Sequence, residues 1–475
     1  MATLFRLGYH PGTPPIGRDC NVKLEVVILA AGQGTRMRSN LPKVLHRLAG
    51  KALVHHVIDS ACQLHADAIH TVIGHGAEQV QSQLQQLPTR WVLQEQQLGT
   101  GHAVAQAMPG VADDSVVLVL YGDVPLVKTD TLKRLLAAVN DERMALLTVE
   151  LPDPTGYGRI VRDAAGHITA IVEHKDASEG QRAIREINTG ILAVPARLLK
   201  QWLPQLSANN AQGEYYLTDI IDLAVRQGIE VTAQHPQTSW EVQGVNNRLQ
   251  LSELERFHQR EIAELLMTEG ATLADPARID VRGSIKTGRD VFIDVNCVFE
   301  GDITLGDNVK IGPNCFIRNA IIADNAEIES HTVIDDAKVG AGAHVGPYAR
   351  LRPGTELGAR ARIGNFVETK KSVIGEGSKV NHLTYIGDCT IGRNANIGAG
   401  TITCNYDGVN KSKTEIGDGA FIGSNSSLVA PVSIGSNATV GAGSTVTANV
   451  GDNQLAVARG KQRNIDGWKR PQKRT

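Results

Sequence analysis

The sequence predicts two architectures in tandem. The first is an α/β domain with a mostly parallel, Rossmann-like sheet. After a linker helix comes a parallel β-helix of six-residue repeats. Three observations carry this. The front part alternates apolar runs with amphipathic segments, the pattern of strands and helices packed in layers. The back part repeats an aliphatic residue every six positions. Composition also shifts near residue 270: all five methionines and three of the four tryptophans precede it, and glycine is denser after it. The predicted boundaries are an N-terminal extension over 1–22, the α/β domain over 23–246, the linker helix over 247–269, and the repeat domain with its tail over 270–475.

In chain order, residues 1–22 open with a few apolar residues. Gly8 to Arg18 then carries three prolines and three glycines and no apolar signal-peptide core, so the segment reads as a loose extension. Val26 to Leu29 is a buried-strand run ending in a glycine loop. Ala52 to Leu64 places Leu53, Val54, Val57, Ile58, Ala61 and Leu64 at helical spacing. Ala68–Ile73, Ser115–Tyr121 and Met144–Val149 return to strand, and Thr129–Val139 is helical. Such sheets bind ligands beyond the carboxyl ends of their strands. Residues 247–269 form one helix, with Leu251, Leu254, Phe257, Ile262, Leu265 and Leu266 as its stripe, and Gly270 as its stop.

The repeat runs through Leu305, Ile311, Val339, Val345, Leu351, Leu357 and Ile363. It resumes at Ile374, Val380, Ile386, Ile391 and Ile397, then at Ile416, Ile422, Leu428, Ile434 and Val440, most followed by glycine. A six-residue period fits no α-helix. It fits a coil with three faces, in which the aliphatic residue stacks inward and the small residue sits where a side chain would collide. Extra residues are expected at Thr369–Ser372 and at Thr403–Thr414, and loops extruded there are places for function.

A formal net charge of -2 excludes a protein that holds nucleic acid by bulk charge. No apolar run is long enough to span a membrane. The six cysteines (Cys20, Cys62, Cys297, Cys315, Cys389, Cys404) form no CxxC pair, so they read as reduced, scattered thiols of a cytoplasmic protein.

Two places suggest chemistry. Leu29-Ala-Ala-Gly-Gln-Gly-Thr-Arg36 follows the first strand. Its glycines let backbone N–H groups close on phosphate oxygens, with Arg36 and Lys43 as nearby cations. The loop matches neither GxGxxG nor a P-loop, and a glycine turn after a strand is more often just a turn. Asp123 ends the strand Val116–Tyr121 after Gly122; alone it is often structural. Together they suit a nucleoside triphosphate with Mg²⁺. In the repeats, Val380-Asn-His-Leu-Thr-Tyr385 puts a polar trio in a scaffold hexad. A lone histidine is more often structural. Here Arg350-Leu-Arg-Pro-Gly354, Lys370 and Lys371 precede it by one to two coils and suit a phosphate dianion, and Asn405-Tyr-Asp-Gly408 lies on the extruded loop.

The stretch Leu29 to Arg47 resembles the signature of sugar-nucleotide pyrophosphorylases. With Gln94, Leu98-Gly-Thr-Gly-His102, Tyr121-Gly-Asp-Val-Pro125, Asp153-Pro-Thr-Gly-Tyr-Gly-Arg-Ile160, Glu173-His-Lys-Asp176, Glu186-Ile-Asn-Thr-Gly190, Gly213-Glu-Tyr-Tyr-Leu-Thr-Asp219 and Gly244-Val-Asn-Asn-Arg248, the chain resembles one family from about residue 24 to its end. That family is the bacterial bifunctional N-acetylglucosamine-1-phosphate uridyltransferases and glucosamine-1-phosphate acetyltransferases. Where the family's glycine loop often has lysine, this chain has Gln33.

The resemblance implies an α/β nucleotidyltransferase followed by a left-handed β-helix. It implies a cytoplasmic homotrimer whose partners are small molecules (glucosamine-1-phosphate, acetyl-CoA and UTP), with neither nucleic acid nor membrane. The product, UDP-N-acetylglucosamine, feeds peptidoglycan and lipopolysaccharide precursors. By the resemblance, Leu29, Ala30, Ala31, Gly32, Lys43, Gln94, Gly99, Thr100, Tyr121, Gly122, Asp123, Gly158, Glu173, Asn188 and Asn246 contact UTP or the sugar nucleotide. Gln94 reads uracil, Asp123 and Asn246 hold Mg²⁺, Gly158, Glu173 and Asn188 grip the sugar, and Arg36 and Lys43 are catalytic cations.

In the acetyltransferase half the resemblance makes His382 the general base, oriented by Glu368, and an ordinary histidine pKa of about 6.5 suits that task. Arg352, Lys370, Tyr385 and Asn396 bind glucosamine-1-phosphate. Ala399, Asn405, Tyr406, Ser424, Ala442 and Arg459 contact acetyl-CoA. The basic tail (Lys469, Arg470, Lys473, Arg474) either meets CoA phosphates or is a solvated terminus. Two other readings stay open: a single-function pyrophosphorylase whose β-helix only oligomerises or regulates, and a non-catalytic regulatory subunit. His382, Lys370 and the Asn405–Asp407 loop speak against the first, and Asp123, Lys43 and Asn246 against the second.

Overall fold

The computed structural model describes residues 23–471 and 473. The expected N-terminal extension, Cys20 and Arg474 lie outside these residues. Two compact units divide between Glu255 and Arg256, inside the helix Arg248–Thr268. No helix among the described residues is long and apolar enough to cross a membrane.

The first unit is built on nine strands: β1 (Lys23–Ala30), β2 (Ala68–Ile73), β3 (Arg90–Leu93), β4 (Ser115–Tyr121), β5 (Arg143–Glu150), β6 (Arg159–Arg162), β7 (Ile168–Val172), β8 (Glu186–Pro195) and β9 (Glu230–Gln234). The sheet order is β9-β5-β8-β4-β1-β2-β3, and β6 joins β8 to its hairpin partner β7. The pairs β1–β2, β1–β4, β2–β3 and β5–β9 are parallel. The expectation of a mostly parallel sheet holds for seven of the nine strands; β7 runs antiparallel to its hairpin partner β6, and β8 is the second exception. β8 runs antiparallel to both β4 and β5, because its connection from β5 passes through the β6–β7 hairpin rather than a crossover helix.

Both faces are covered, so the central strands are apolar throughout: Val26, Val27, Ile28, Leu118, Val119 and Leu120 are all fully buried. The helix Leu53–Gln63 buries Leu53, Val54, Val57, Ile58 and Ala61 on one side, as the spacing predicts. The register Leu29↔Tyr121 sets the ends of β1 and β4 side by side. The loop after β1, Gln94 after β3 and Asp123 after β4 therefore leave the sheet at one edge.

The second unit is a parallel β-helix-like array. One ladder runs from Thr272–Leu273 to Leu455–Ala456, and the other two faces share one bent sheet. The array thus starts before the first hexad legible in the sequence. Its aliphatic residues stack into a single core: Ile311, Ile322, Ile334, Leu351, Ile363, Ile374, Val380 and Ile422 are completely buried. Where glycine follows the aliphatic residue, space requires it. A Cβ on Gly340 would come 2.6 Å from the Gly358 carbonyl carbon one coil on, and a Cβ on Gly358 would come 2.6 Å from the Glu376 nitrogen. Corners turn through left-handed residues, often asparagine, as at Asn308 (φ 57°) and Asn325 (φ 59°).

Three expectations are corrected. Val339 pairs with Leu357, eighteen residues on, but Leu357 pairs with Ile374, seventeen on. The slip at Thr369–Ser372 is therefore a shortened coil and not an extruded loop. Cys297 and Cys315 are not scattered, for they occupy equivalent places on adjacent coils, where the Val298 N–H donates to the Cys315 carbonyl (3.0 Å). In the helix Arg248–Thr268, Leu265 is 56% exposed. Gln259 takes an inward place instead and bonds both the N–H (2.7 Å) and the carbonyl (2.8 Å) of Val281.

Since Ile363 has no exposed surface and pairs with the buried Val345 and Val380 on the adjacent coils, Ile363→Ala leaves a cavity. It should cost about 2–5 kcal/mol, read as a lower urea midpoint for the repeat array.

Candidate active sites

In the first unit the loop after β1 and the turn after β4 are tied together, with the Gly122 N–H donating to the Leu29 carbonyl (2.9 Å). Gly34 takes a left-handed φ of 63°, and a Cβ there would come 2.6 Å from the Lys43 Cβ. The glycine thus lets Lys43 fold back over the loop. Lys43 Nζ pairs with Asp123 Oδ2, both about 15% exposed. Arg36 donates to Asn246 Oδ1 at 2.9 Å, and Asn246 is carried to Asp123 because the Val245 N–H donates to the Asp123 carbonyl (2.9 Å). Two cations and two hard oxygen donors are thus linked to one another beside the turn after β4, while a Cβ on Gly32 of the loop would meet nothing within 4 Å. A carboxylate and an amide oxygen are the donor set Mg²⁺ takes when substrate phosphates complete its shell.

Tyr121 connects this centre to a second pocket wall. Gly190 (φ 86°) leaves room for its ring, since a Cβ there would lie 2.5 Å from Cε2. Burial, helped by Glu173 and Asp123, pushes the Tyr121 hydroxyl well above its ordinary value, so it stays protonated. Burial also raises the Glu173 carboxyl, which accepts from Thr218 Oγ1 at 3.3 Å. Gly158 lies against Glu173, and its carbonyl accepts the Asn188 N–H (2.9 Å). Gly158, Glu173, Asn188 and Tyr121 therefore form one neighbourhood. Gln94, 2% exposed, is set by its N–H bond to the Ile73 carbonyl (2.8 Å). Gly99 (φ 112°) abuts the Tyr215 backbone, and Thr100 Oγ1 accepts the Leu217 N–H (3.0 Å).

In the β-helix the site is read by columns. The Leu383 N–H donates to the Asn365 carbonyl, Gly400 to His382, Asn425 to Ala399 and Gly443 to Ser424. Asn365, His382, Ala399, Ser424 and Ala442 thus occupy equivalent places on successive coils, and Arg459 donates to the Ala442 carbonyl (2.6 Å). The imidazole stands at one end of a strip of small side chains. A second column, Arg350–Glu368–Tyr385–Ile402, runs on the next face. Asn405 Nδ2 bonds Asp388 Oδ2 (2.5 Å), while Tyr406, 59% exposed, is on the extruded loop and bonds the Gly408 carbonyl (2.5 Å). Asn396 belongs to a different column, with Lys379 and Phe421.

Glu368, expected to orient His382, sits against two arginines. It accepts from Arg352 (2.8 Å) and faces Arg350 (3.5 Å). His382 Nδ1 lies 2.7 Å from Asn365 Oδ1, the residue directly paired with it. The sequence reading missed Asn365; its signal is the coil period, one turn before His382. It also missed Lys411 on the extruded loop. The Lys411 side chain, beside that of Lys370, and repulsion from Lys411, Arg352 and Lys371 depress the pKa of Lys370, so these cations lie close together and suit a phosphate dianion.

Residues 26–190 match the MobA-like NTP transferase domain family, residues 281–359 the GMPPB C-terminal domain, and residues 413–448 the bacterial transferase hexapeptide (six repeats). A "Bifunctional protein GlmU" of Marinobacter nauticus is 65% identical over 450 residues, covering 95% of this chain and 99% of the relative. Proteins of the same name from Cellvibrio japonicus and Pseudomonas entomophila are 60% and 59% identical over 452 residues, each covering 95% of this chain and 100% and 99% of the relative.

The cation cluster yields a prediction. The folded state holds a proton on Lys370 less tightly than an unfolded lysine does, so its charge opposes folding below its folded pKa, and the penalty fades as pH rises through that value. Lys370→Gln should therefore raise the melting temperature near neutral pH at low salt. The gain should shrink at high salt or high pH, and millimolar phosphate should stabilise the unmodified protein more than the variant.

Proposed function

The chain belongs to the bifunctional GlmU family, and from that premise we propose how its residues divide two reactions of UDP-N-acetylglucosamine synthesis between its two units. It is an enzyme with a nucleotidyltransferase and an acetyltransferase activity, and its product serves cell-wall synthesis. UTP and acetyl-CoA, its co-substrates, are cytoplasmic metabolites, and the cytoplasm is its proposed location.

In the β-helix, glucosamine-1-phosphate lies with its phosphate among Arg352, Lys370 and Tyr385. The pair of Arg352 with Glu368 keeps the guanidinium in place. The sugar amine attacks the thioester carbonyl of acetyl-CoA, and His382 takes the amine proton as the C–N bond forms and CoA leaves as its thiol. Asn365 accepts from His382 Nδ1–H, leaving Nε2 unprotonated to take that proton. The pantetheine arm of CoA runs along Ala399, Ser424 and Ala442, where larger side chains would lift it off the wall. Asn405, Tyr406 and Arg459 flank this strip.

In the first unit, N-acetylglucosamine-1-phosphate rests against Gly158, Glu173 and Asn188, and uracil meets Gln94, Gly99 and Thr100. A phosphate oxygen of the sugar attacks the α-phosphorus of UTP, and pyrophosphate departs. Lys43 and Arg36 exchange their bonds to Asp123 and Asn246 for bonds to the triphosphate, and the loop Leu29–Gly32 supplies backbone N–H groups. Asp123 and Asn246 would hold Mg²⁺, which when bound draws charge from the phosphates. No side-chain nucleophile is needed, since positioning and charge neutralisation supply the catalysis.

A homotrimer with shared acetyltransferase sites completes the proposal. What supports assembly is a corner ridge beside His382, where Tyr348, Phe366 and Leu383 are 49%, 56% and 64% exposed. Asn396, set apart from Arg352 and Lys370 by its column, fits a site completed by a neighbouring copy.

The observation that carries the function is the combination of the Lys43–Asp123 centre in one unit with the His382 column in the other. Single substitutions should therefore separate the activities. His382→Ala should cut CoA release from acetyl-CoA and glucosamine-1-phosphate about 10²-fold or more while uridylyl transfer persists. Asp123→Ala, or chelation of divalent ions, should abolish pyrophosphate release and spare acetylation. If acetylation survived His382→Ala unchanged, the role given to that histidine would fall.

A further inference from the structure

We infer that His102 is a positioning residue that fixes which end of the Gln94 amide meets the nucleobase, and that it thereby sets the choice of uracil over cytosine. The inference rests on the reading that Gln94 faces the base. Uracil presents an N–H at ring position 3, whereas cytosine presents a bare acceptor there. A glutamine amide serves either base depending on which end faces outward, so on its own Gln94 would not discriminate.

The structure removes that ambiguity. Gln94 Nε2 lies 2.9 Å from His102 Nδ1 and 3.3 Å from the Gly99 carbonyl oxygen. A carbonyl only accepts, so the end of the amide facing it must be the NH₂ group. Both amide hydrogens are then used inside the protein, and Oε1 is left to accept from the uracil N–H. This arrangement requires His102 Nδ1 to accept, which puts the imidazole hydrogen on Nε2; the half-buried Gln106 amide, whose Nε2 lies 3.2 Å from that nitrogen and 3.4 Å from the His102 carbonyl, must then turn its oxygen to the ring. His102 and Gln106 are four apart on the helix Thr100–Ala107 and share one face. That helix begins at Gly99, so the segment that closes on the base also supplies both acceptors. Gln94 is 2% exposed, and water has little access to replace a missing acceptor. Turning the amide over would bring its oxygen against the Gly99 carbonyl and the Nδ1 lone pair.

The test compares kcat/KM for UTP and CTP, with N-acetylglucosamine-1-phosphate as acceptor, in the full chain. His102→Phe keeps a ring but no acceptor and should lower the UTP:CTP ratio by about tenfold. His102→Asn, whose Oδ1 can stand in for Nδ1, should hold the ratio near that of the unmodified enzyme. A His102→Phe enzyme that loses UTP and CTP turnover equally, with its ratio unchanged, would show a structural role only and overturn the proposal. So would a His102→Asn enzyme whose ratio falls as far as that of His102→Phe, and this second variant decides the matter if the first does not fold. Gln94→Ala separates the two levels. If it lowers the ratio while His102→Phe does not, the base-reading role of Gln94 stands and the role of His102 falls; if it leaves the ratio untouched, both fall.

Discussion

Parallel strand register is the constraint on which both units depend. In a parallel pair the hydrogen bonds are evenly spaced, and each residue has one fixed neighbour on the next strand. In the first unit the register Leu29↔Tyr121 aligns the ends of β1 and β4, so the glycine loop and Asp123 emerge together. In the second unit the same rule, repeated coil after coil, turns residues remote in sequence into a column, and His382 stands in line with Ala399, Ser424 and Ala442. Neither centre is built by a local motif alone. Each is a row of strand ends or corners whose spacing the backbone imposes.

Both centres also hold their cations in advance. Lys43 and Arg36 are bonded to Asp123 and Asn246, and Arg352 to Glu368. These bonds keep long side chains in place before any phosphate arrives, which lowers the ordering cost of binding. Lys370 is the exception, surrounded by Arg352, Lys371 and Lys411. There the protein keeps like charges close together, an arrangement that an incoming dianion relieves.

Much of this was legible in the sequence, and the reasons it stopped are physical. The glycine loop and Asp123 were readable because each follows an apolar strand, and strand ends are where parallel sheets place ligands. The inward aliphatic residues were readable because the repeat is so regular. The antiparallel β8 was not, because a strand buried on both faces looks the same in either direction. Glu368 was tied to His382 by the family resemblance alone; the stacked coils put the two in different columns, and Asn365 is the residue paired with His382. The coil lengths of seventeen and eighteen residues decide such pairings, and they become known only once the coils are stacked. Gln94 was singled out, but its orientation depends on His102 and the Gly99 carbonyl, which no spacing reveals.

The extruded segment between Cys404 and Thr414 has a wider meaning. Ile402 pairs with Ser427 and Thr414 with Cys389 as though the intervening residues were absent. A corner of the prism can therefore accept inserted chain while the stacked walls on either side keep their alignment. Evolution can alter what such a scaffold grasps by lengthening or trimming its corners, without renegotiating the core, and this modularity suits the architecture to many acyl acceptors.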